Sequence, residues 1–191
     1  MLYLTVICGA NLLFALLHSI GQPSVPHFFA MLGLSLLYTA SVIAVDGILA
    51  FLIRRLPERW FSPERNAFSV CPRERRLYAA LGVKRWKDYV PELGVFTGFH
   101  KNRLESATDR SYLQRFLLES NYGVVIHLSN VMLGFLILLL PFGRSLSLAL
   151  PVASVNAVLS LLPIMILRYH TPPLLRLYHR SLKSDTAKKR K

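Results

Sequence analysis

Cysteine is scarce in this sequence, which contains only Cys8 and Cys71. The first lies in a hydrophobic run and the second in a basic segment, so they offer no disulfide framework and no cysteine-based metal spacing. The sequence also lacks a glycine-rich phosphate loop, a zinc motif, a GxSxG elbow and an HxxxxD box. We therefore expect a structural role for each cysteine, no metal site and no bound cofactor.

Charged residues are also few. They make up 17% of the 191 residues, against roughly 25% in an ordinary soluble domain, whereas hydrophobic residues make up 53% and the mean hydropathy is +0.40. This composition is typical of a membrane protein. In a soluble chain the net charge of +13 would suggest nucleic acid, but here the charges flank apolar runs, so we expect membrane lipids as partners instead.

No lysine or arginine precedes Arg54. The N-terminal apolar run therefore lacks a positively charged flank, and it also lacks an A-x-A-like cleavage site. We expect this run to be a retained span rather than a signal peptide.

Four stretches are apolar enough to cross a bilayer, which takes about 20 helical residues. They are Leu2–Ile20, Phe29–Ile53, Gly123–Pro141 and Leu146–Leu167. The links GQPSVPHF and FGRS contain turn formers, which predicts two hairpins. The fold class predicted is an all-α membrane protein with four transmembrane helices.

The distribution of basic residues predicts the orientation. The segment between the hairpins holds 14 Lys and Arg and the tail holds 8, whereas the opposite connections hold only Arg144. By the positive-inside rule, we expect both termini in the cytoplasm and the protein in the cell membrane. The predicted divisions are an N-terminal hairpin (1–53), a cytoplasmic interfacial segment of basic and aromatic helices (54–122), a C-terminal hairpin (123–167) and a basic tail (168–191).

Few polar side chains interrupt the predicted spans, and such residues are costly unless they are paired or used. We expect His127 about one turn inside the cytoplasmic end of the third span and Asn156 near the middle of the fourth. A histidine at this depth can take the proton of an alcohol nucleophile as a general base. Alternatively, His127 only hydrogen-bonds a neighbouring helix, and His100 is a competing base.

Four segments, in this order, carry a family resemblance: FxxxxNAFxV, RERRLYAALGVKRWKDYVPELG, TDRSYLQRFLLESNYGVVIHLSN and NAVLSLLPIMILRYHTPPLLRL. They resemble the glycosyl-4,4'-diaponeurosporenoate acyltransferases, small membrane enzymes that esterify a sugar hydroxyl of a glycosylated carotenoid in staphyloxanthin-type pigment synthesis. The resemblance extends from about Trp60 to Leu177. The positions that fit the family pattern are Trp86, Lys87, Glu119, His127, Asn156, Pro163, Arg168, Tyr169, Pro172 and Arg176. The predicted pair of N-terminal spans departs from the single hydrophobic segment of the pigment enzyme.

The resemblance does not single out the catalytic residues, so we hypothesise their roles from their chemistry. His127 would act as general base, Glu119 would orient or charge it, and Asn156 would donate to the developing oxyanion. Eight helical residues place Glu119 and His127 about 80° apart around the axis, so their contact requires a helix break near Asn121 or Gly123. The donor phosphates would be held by a basic and aromatic surface. Its residues are Lys84, Arg85, Trp86, Lys87, Arg168, Tyr169 and Arg176.

The predicted function is therefore transfer of a fatty acyl group onto a hydroxyl of a glycolipid or glycosylated carotenoid-like acceptor. The acyl donor would be a thioester of coenzyme A or of acyl carrier protein. One alternative is a non-catalytic scaffold or lipid-binding protein of a lipid-synthesis complex. A small transporter is the other alternative, and it requires Asp46 and Asn156 to line one aqueous cavity.

Overall fold

The computed structural model describes residues 2–90, 106–141 and 145–188. Within these ranges every regular element is helical, as predicted. The α-helices are α1 (Leu2–Ser19), α2 (Val25–Arg54), α3 (Pro72–Ala80), α4 (Val83–Trp86), α5 (Arg110–Leu133) and α6 (Leu146–Lys188). Short 3-10 segments cover Glu58–Trp60, Asn66–Phe68, Lys87–Tyr89 and Gly134–Leu139.

Three of the described helices are long and apolar enough to cross a membrane. They are Val25–Arg54, Arg110–Leu139 (α5 with its 3-10 continuation) and Leu146–Lys183. Several large apolar side chains along α2 are more than half exposed, which suits a lipid environment better than water. They are Phe29, Ile43, Ile48, Phe51 and Leu52. Helix α1 is equally apolar, but its 18 residues extend only about 27 Å against a hydrocarbon core of about 30 Å. The protein is thus an all-helical membrane protein, and the fourth span and the hairpin arrangement stay predictions.

Helix α5 begins 13 residues before the predicted start of the third span, at Arg110 rather than Gly123. Its first turn is capped by Asp109, whose carboxylate accepts hydrogen bonds from the backbone N–H groups of Ser111 (2.8 Å) and Tyr112 (3.3 Å). The backbone carbonyl of Asp109 accepts the first helical bond, from Leu113. His127 consequently lies 17 residues into its helix, not one turn from the start.

Helix α6 continues 21 residues beyond the predicted end of the fourth span, through the adjacent Pro172 and Pro173. Proline removes a helical N–H donor and normally ends or kinks a helix. Here packing compensates, because Leu174 and Tyr178 are buried against α5. Most of the predicted tail is therefore helical.

The described residues form two compact units, and both α5 and α6 contribute to each unit. The first unit contains Met1–Arg54 and Ile126–Leu162, and the second contains Arg55–Val125 and Pro163–Lys191. The core of the first unit is formed by α2, the 3-10 segment after α5, and α6. Its buried members are Tyr38, Val42, Ile137, Leu148, Ala149, Val152 and Ala153.

Polar side chains join α1 to α2 within the first unit. The Oδ1 atom of buried Asn11 accepts hydrogen bonds from Ser35 Oγ (2.6 Å) and Thr39 Oγ1 (3.1 Å). Because no water competes inside an apolar bundle, such bonds between small polar residues hold helices together. Tyr3 Oη and Leu159 O (3.3 Å) connect α1 to α6 in the same way.

The second unit is built around the first half of α5 and the last part of α6. The segment between α2 and α3 is fixed to α5 by a stacked ring pair, Phe61 and Tyr122, with centroids 3.8 Å apart. Asn121 Nδ2 donates to the Phe61 carbonyl (2.9 Å) and Tyr122 Oη donates to the Leu56 carbonyl (3.0 Å). These buried contacts satisfy backbone groups that would otherwise lose a partner.

The basic segment of the second unit is helical where predicted. Cys71 caps α3 through Sγ, which accepts from the Glu74 backbone N–H at 3.4 Å. Pro72 occupies the first turn, where its missing N–H costs nothing. Gly82 follows α3 in the left-handed region (φ 64°), and it lets the chain turn directly into α4.

Candidate active site

Asn156 lies inside the first unit, where three helical segments meet. Its Nδ2 atom donates to Asp46 Oδ1 on α2 over 3.4 Å, which is long for a hydrogen bond. Gly134, at the start of the 3-10 segment, approaches the same amide so closely that a Cβ there would lie 2.8 Å from Nδ2. The structure thus places the amide of Asn156 between a carboxylate and a bare stretch of backbone.

His127 lies on α5 in the first unit, on the face that leads to Gly134. Seven helical residues return to nearly the same direction around the axis, so His127 and Gly134 share one face about 10 Å apart. Asn130 lies between them on that face and is 6% exposed. The Nδ1 atom of His127 and the Oδ1 atom of Asn130 are both buried. His127 and Asn156, the predicted base and oxyanion donor, therefore belong to the same unit.

A narrow apolar groove reaches Asn156 from α1 and α2. Its lining residues are Ile7, Ala10, Asn11, Phe14, Thr39, Val42, Ile43, Val152, Val155, Asn156 and Leu159. The cavity volume is about 40 Å³, which holds one or two water molecules but no lipid chain. The transporter alternative requires Asp46 and Asn156 to line one aqueous cavity. Asp46 is not among the lining residues of this groove, so this groove is not that cavity.

Glu119, the second residue predicted from the family pattern, belongs to the second unit and is partly buried. Helix α5 runs unbroken through Asn121 and Gly123. The local helix break that direct contact between Glu119 and His127 requires is therefore not present. The role of Glu119 stays a proposal.

Arg168, which is predicted to hold phosphate, binds a carboxylate in the second unit. Its Nε and Nη2 atoms donate to the two carboxylate oxygens of Glu74, the latter over 2.8 Å. Nη2 also donates to the Ser69 carbonyl (3.0 Å), and Tyr78 Oη donates to Glu74 Oε1 (2.6 Å). Such a two-point pair is the strongest ion-pair geometry available to arginine. It fixes α3 and the loop before it to α6.

The pKa values around this pair follow from its geometry. The hydrogen bond from Arg168 holds the pKa of Glu74 below its ordinary value, against the opposing effect of burial. Burial raises the pKa of Tyr78 to about 12, with a further contribution from the hydrogen bond to Glu74. Glu74 is therefore an anion and Tyr78 a neutral donor at physiological pH.

The remaining predicted donor-binding residues divide by exposure. Lys84, Arg85 and Arg176 are exposed. Trp86 is half-buried and its Nε1 donates to the Leu81 carbonyl (3.0 Å), while Lys87 forms an ion pair with Asp88 (2.7 Å).

Tyr169, on α6, is half-buried and meets the ring of its neighbour His170 edge-on, with centroids 5.4 Å apart. His170 lies within electrostatic range of Lys87 and Asp88. The competing base, His100, lies outside the described residues. Among the residues that the structure describes, no group of three or more His, Cys, Asp and Glu side chains could hold a metal ion.

Sequence reasoning missed the partners that fix these residues. Glu74 is the one acid within the RERR run. An acid in the first turn of a helix that otherwise carries cations was a signal that this residue has a structural role. Asp46 was considered beside Asn156 only as part of an aqueous cavity in the transporter alternative, and Gly134 was not considered. Neither contact can be read from spacing, because each joins different helices.

Comparison with known protein families shows which family the chain belongs to. The model of the glycosyl-4,4'-diaponeurosporenoate acyltransferases matches residues 57–180, which is 124 of the 191 residues. The chain belongs to the glycosyl-4,4'-diaponeurosporenoate acyltransferase family.

The region that matches this acyltransferase family contains His127, Asn156 and the Glu74–Arg168 pair, whereas α1 and α2 with Asp46 precede it. The description of the family indicates acyl transfer in carotenoid biosynthesis. No similar protein was found among curated proteins or among solved structures.

Proposed function

We propose that the protein is an O-acyltransferase of the cell membrane that moves a fatty acyl group from an acyl thioester to a hydroxyl of a glycosylated carotenoid-like or related glycolipid acceptor. Family membership over residues 57–180 is the observation that carries this proposal. Three long apolar helices support a lipid-embedded reaction. With α1 as a fourth, short span, both termini and the basic segment lie in the cytoplasm, where acyl thioesters are available.

The chemistry requires a base and an electrophile-stabilising donor. We assign the first role to His127, which accepts the hydroxyl proton while the acceptor oxygen attacks the thioester carbonyl. The carbonyl oxygen gains negative charge, which an N–H of Asn156 stabilises. The carbon–sulfur bond then breaks, and the proton passes to the departing thiolate. The ester and the free thiol are the products, so atoms and charge balance without any further reactant.

The cationic surface of the second unit would bind the phosphates of the donor. Lys84, Arg85 and Arg176 are the exposed candidates. Arg168 contributes differently, because its guanidinium is already engaged by Glu74. We therefore assign Arg168 to holding α3 in place and leave phosphate contact to the three exposed residues.

The experiment is mass spectrometry of membrane lipids from cells that supply the glycosylated acceptor. The wild type, His127→Ala and the control His179→Ala are compared at matched protein levels, because His179 is an exposed histidine outside the assigned site. We expect one added acyl mass with the wild type and the control but not with His127→Ala. Product formation by His127→Ala at the wild-type rate would remove His127 from the mechanism.

Loss of the acylated product in His127→Ala, with lipid binding unchanged, would favour an enzyme over a scaffold. A wild type that gives no acylated product, in cells shown to contain the acceptor and donor, would instead favour the non-catalytic scaffold or lipid-binding protein. A lowered donor affinity in Lys84→Gln/Arg85→Gln, measured as a higher KM with unchanged kcat, is expected if these side chains hold phosphate.

A further inference from the structure

Asp46 is the one acidic side chain of the largely apolar helix α2. It lies in α2, eight residues before Arg54, and is about half-buried in the first unit. A carboxylate at this depth costs free energy unless it is paired or functional. It also lies outside the segment that the family model covers, so nothing in the family pattern accounts for it.

The partner of Asp46 is the amide of Asn156. The Nδ2 atom donates to Asp46 Oδ1 (3.4 Å). An ionised carboxylate has only acceptor atoms, so it selects the nitrogen end of the amide and repels the oxygen end. Asp46 thus determines which way the side chain of Asn156 points.

Gly134 restricts the same amide from another direction. A Cβ at this position would lie 2.8 Å from Nδ2, closer than atoms approach without displacement. The amide of Asn156 is planar and carries two N–H groups. When one N–H is directed at Asp46, the planar geometry also determines the direction of the second N–H. The missing side chain at Gly134 leaves room for the amide in this position.

We propose that Asp46 is a positioning residue that orients Asn156 for catalysis. One N–H of Asn156 is held by the Asp46 carboxylate, and the other donates to the oxyanion that develops on the thioester carbonyl. This inference rests on the proposed acyl transfer. Helix α2 lies outside the family match. Through Asp46 it would influence the reaction step in addition to anchoring the protein in the membrane.

The test measures kcat and KM of acyl transfer for wild type, Asp46→Asn, Asp46→Leu, Asn156→Ala and the double variant Asp46→Leu/Asn156→Ala. Removal of an oxyanion donor lowers kcat by about 100-fold or more, so we expect this loss for Asn156→Ala. For Asp46→Leu we expect a loss of about 10-fold with KM within twofold of wild type. Asp46→Asn retains an acceptor oxygen, so its kcat should lie between those of wild type and Asp46→Leu.

Non-additivity identifies positioning as the cause. The double variant should be no slower than Asn156→Ala, because Asp46 acts only through Asn156. Ser41→Ala, which removes a hydroxyl bound to its own helix at Leu37, serves as the control in α2 and should keep wild-type kcat. Full kcat in Asp46→Leu, or a double variant as slow as or slower than the product of the two single losses, would overturn the proposal.

Thermal unfolding of the same variants separates this inference from the proposed function. If the contact exists, the shift in Tm of the double variant should be smaller than the sum of the single shifts. Additive shifts would overturn the contact itself, even in an active enzyme. Wild type without acyl transfer would overturn the proposed function and the catalytic role of Asp46 together, while non-additive Tm shifts would still establish the contact.

Discussion

The pair of Glu74 and Arg168 makes the sharpest prediction about stability. Glu74→Gln keeps the size of the side chain but removes the charge that holds two donors of Arg168 and the hydroxyl of Tyr78. Hydrogen bonds to charged groups contribute about 1.5–3 kcal/mol each in favourable cases, whereas fully exposed ion pairs contribute about 0.2–1 kcal/mol.

The exposure of this pair decides between these values. The side chains of Arg168 and Glu74 are 17% and 19% exposed, so the pair is mostly shielded from water without being fully buried. We therefore expect Glu74→Gln to lower the free energy of unfolding by about 2 kcal/mol, below the 3–5 kcal/mol of a fully buried pair. For a chain of this length this corresponds to about 4–8 °C in Tm.

The assay is thermal unfolding of the purified protein in detergent, with Glu64→Gln as the matched control. Glu64 is an exposed glutamate of the same unit, so its variant should lie within about 0.5 kcal/mol of wild type. A Tm for Glu74→Gln equal to that of Glu64→Gln would refute the argument that this pair holds α3 to α6.

The pKa of Glu74 adds a pH dependence to this prediction. Its folded-state pKa is lower than its unfolded-state value, which is about 4.3. The stabilisation is therefore complete above that value and is lost as pH falls through it toward the folded-state pKa. The difference in stability between wild type and Glu74→Gln should thus be largest at neutral pH and should shrink below about pH 4.

Three further predictions follow from local geometry. Asp109→Ala removes the cap of α5 and should lower the Tm in thermal unfolding, whereas Glu64→Ala, at an exposed acid outside a cap, should leave it unchanged. Gly82→Ala forces a side chain into the left-handed region and should cost about 1–2 kcal/mol, whereas Gly21→Ala, with open space around it, should not. Gly134→Ala should lower kcat by displacing Asn156; an unchanged kcat would contradict the close approach.

The sequence predicted the parts of the fold that depend on local composition. Long apolar runs predicted the membrane helices. Packing determines how far the last helix extends. Proline normally ends or kinks a helix, yet α6 continues through Pro172 and Pro173, where Leu174 and Tyr178 are buried against α5.

The site was predictable only as a list of polar residues. His127 and Asn156 stood out because polar groups are rare in apolar spans, and the structure places both in the first unit. Arg168 was predicted to hold phosphate from the family pattern, and the structure adds a partner that the pattern does not contain, Glu74, 94 residues away in sequence. Likewise, the contact between Asp46 and Asn156 spans 110 residues, and no periodicity encodes such a pairing.

The most direct test of acyl transfer is a reconstituted reaction with purified protein, a radiolabelled fatty acyl thioester and a glycosylated carotenoid acceptor in lipid vesicles. The account predicts labelled acyl-glycoside ester and an equimolar amount of free thiol with the wild type, and loss of both with His127→Ala that has the same Tm as wild type. Absence of labelled ester from folded wild type, with donor and acceptor both shown to be present in the vesicles, would contradict the account.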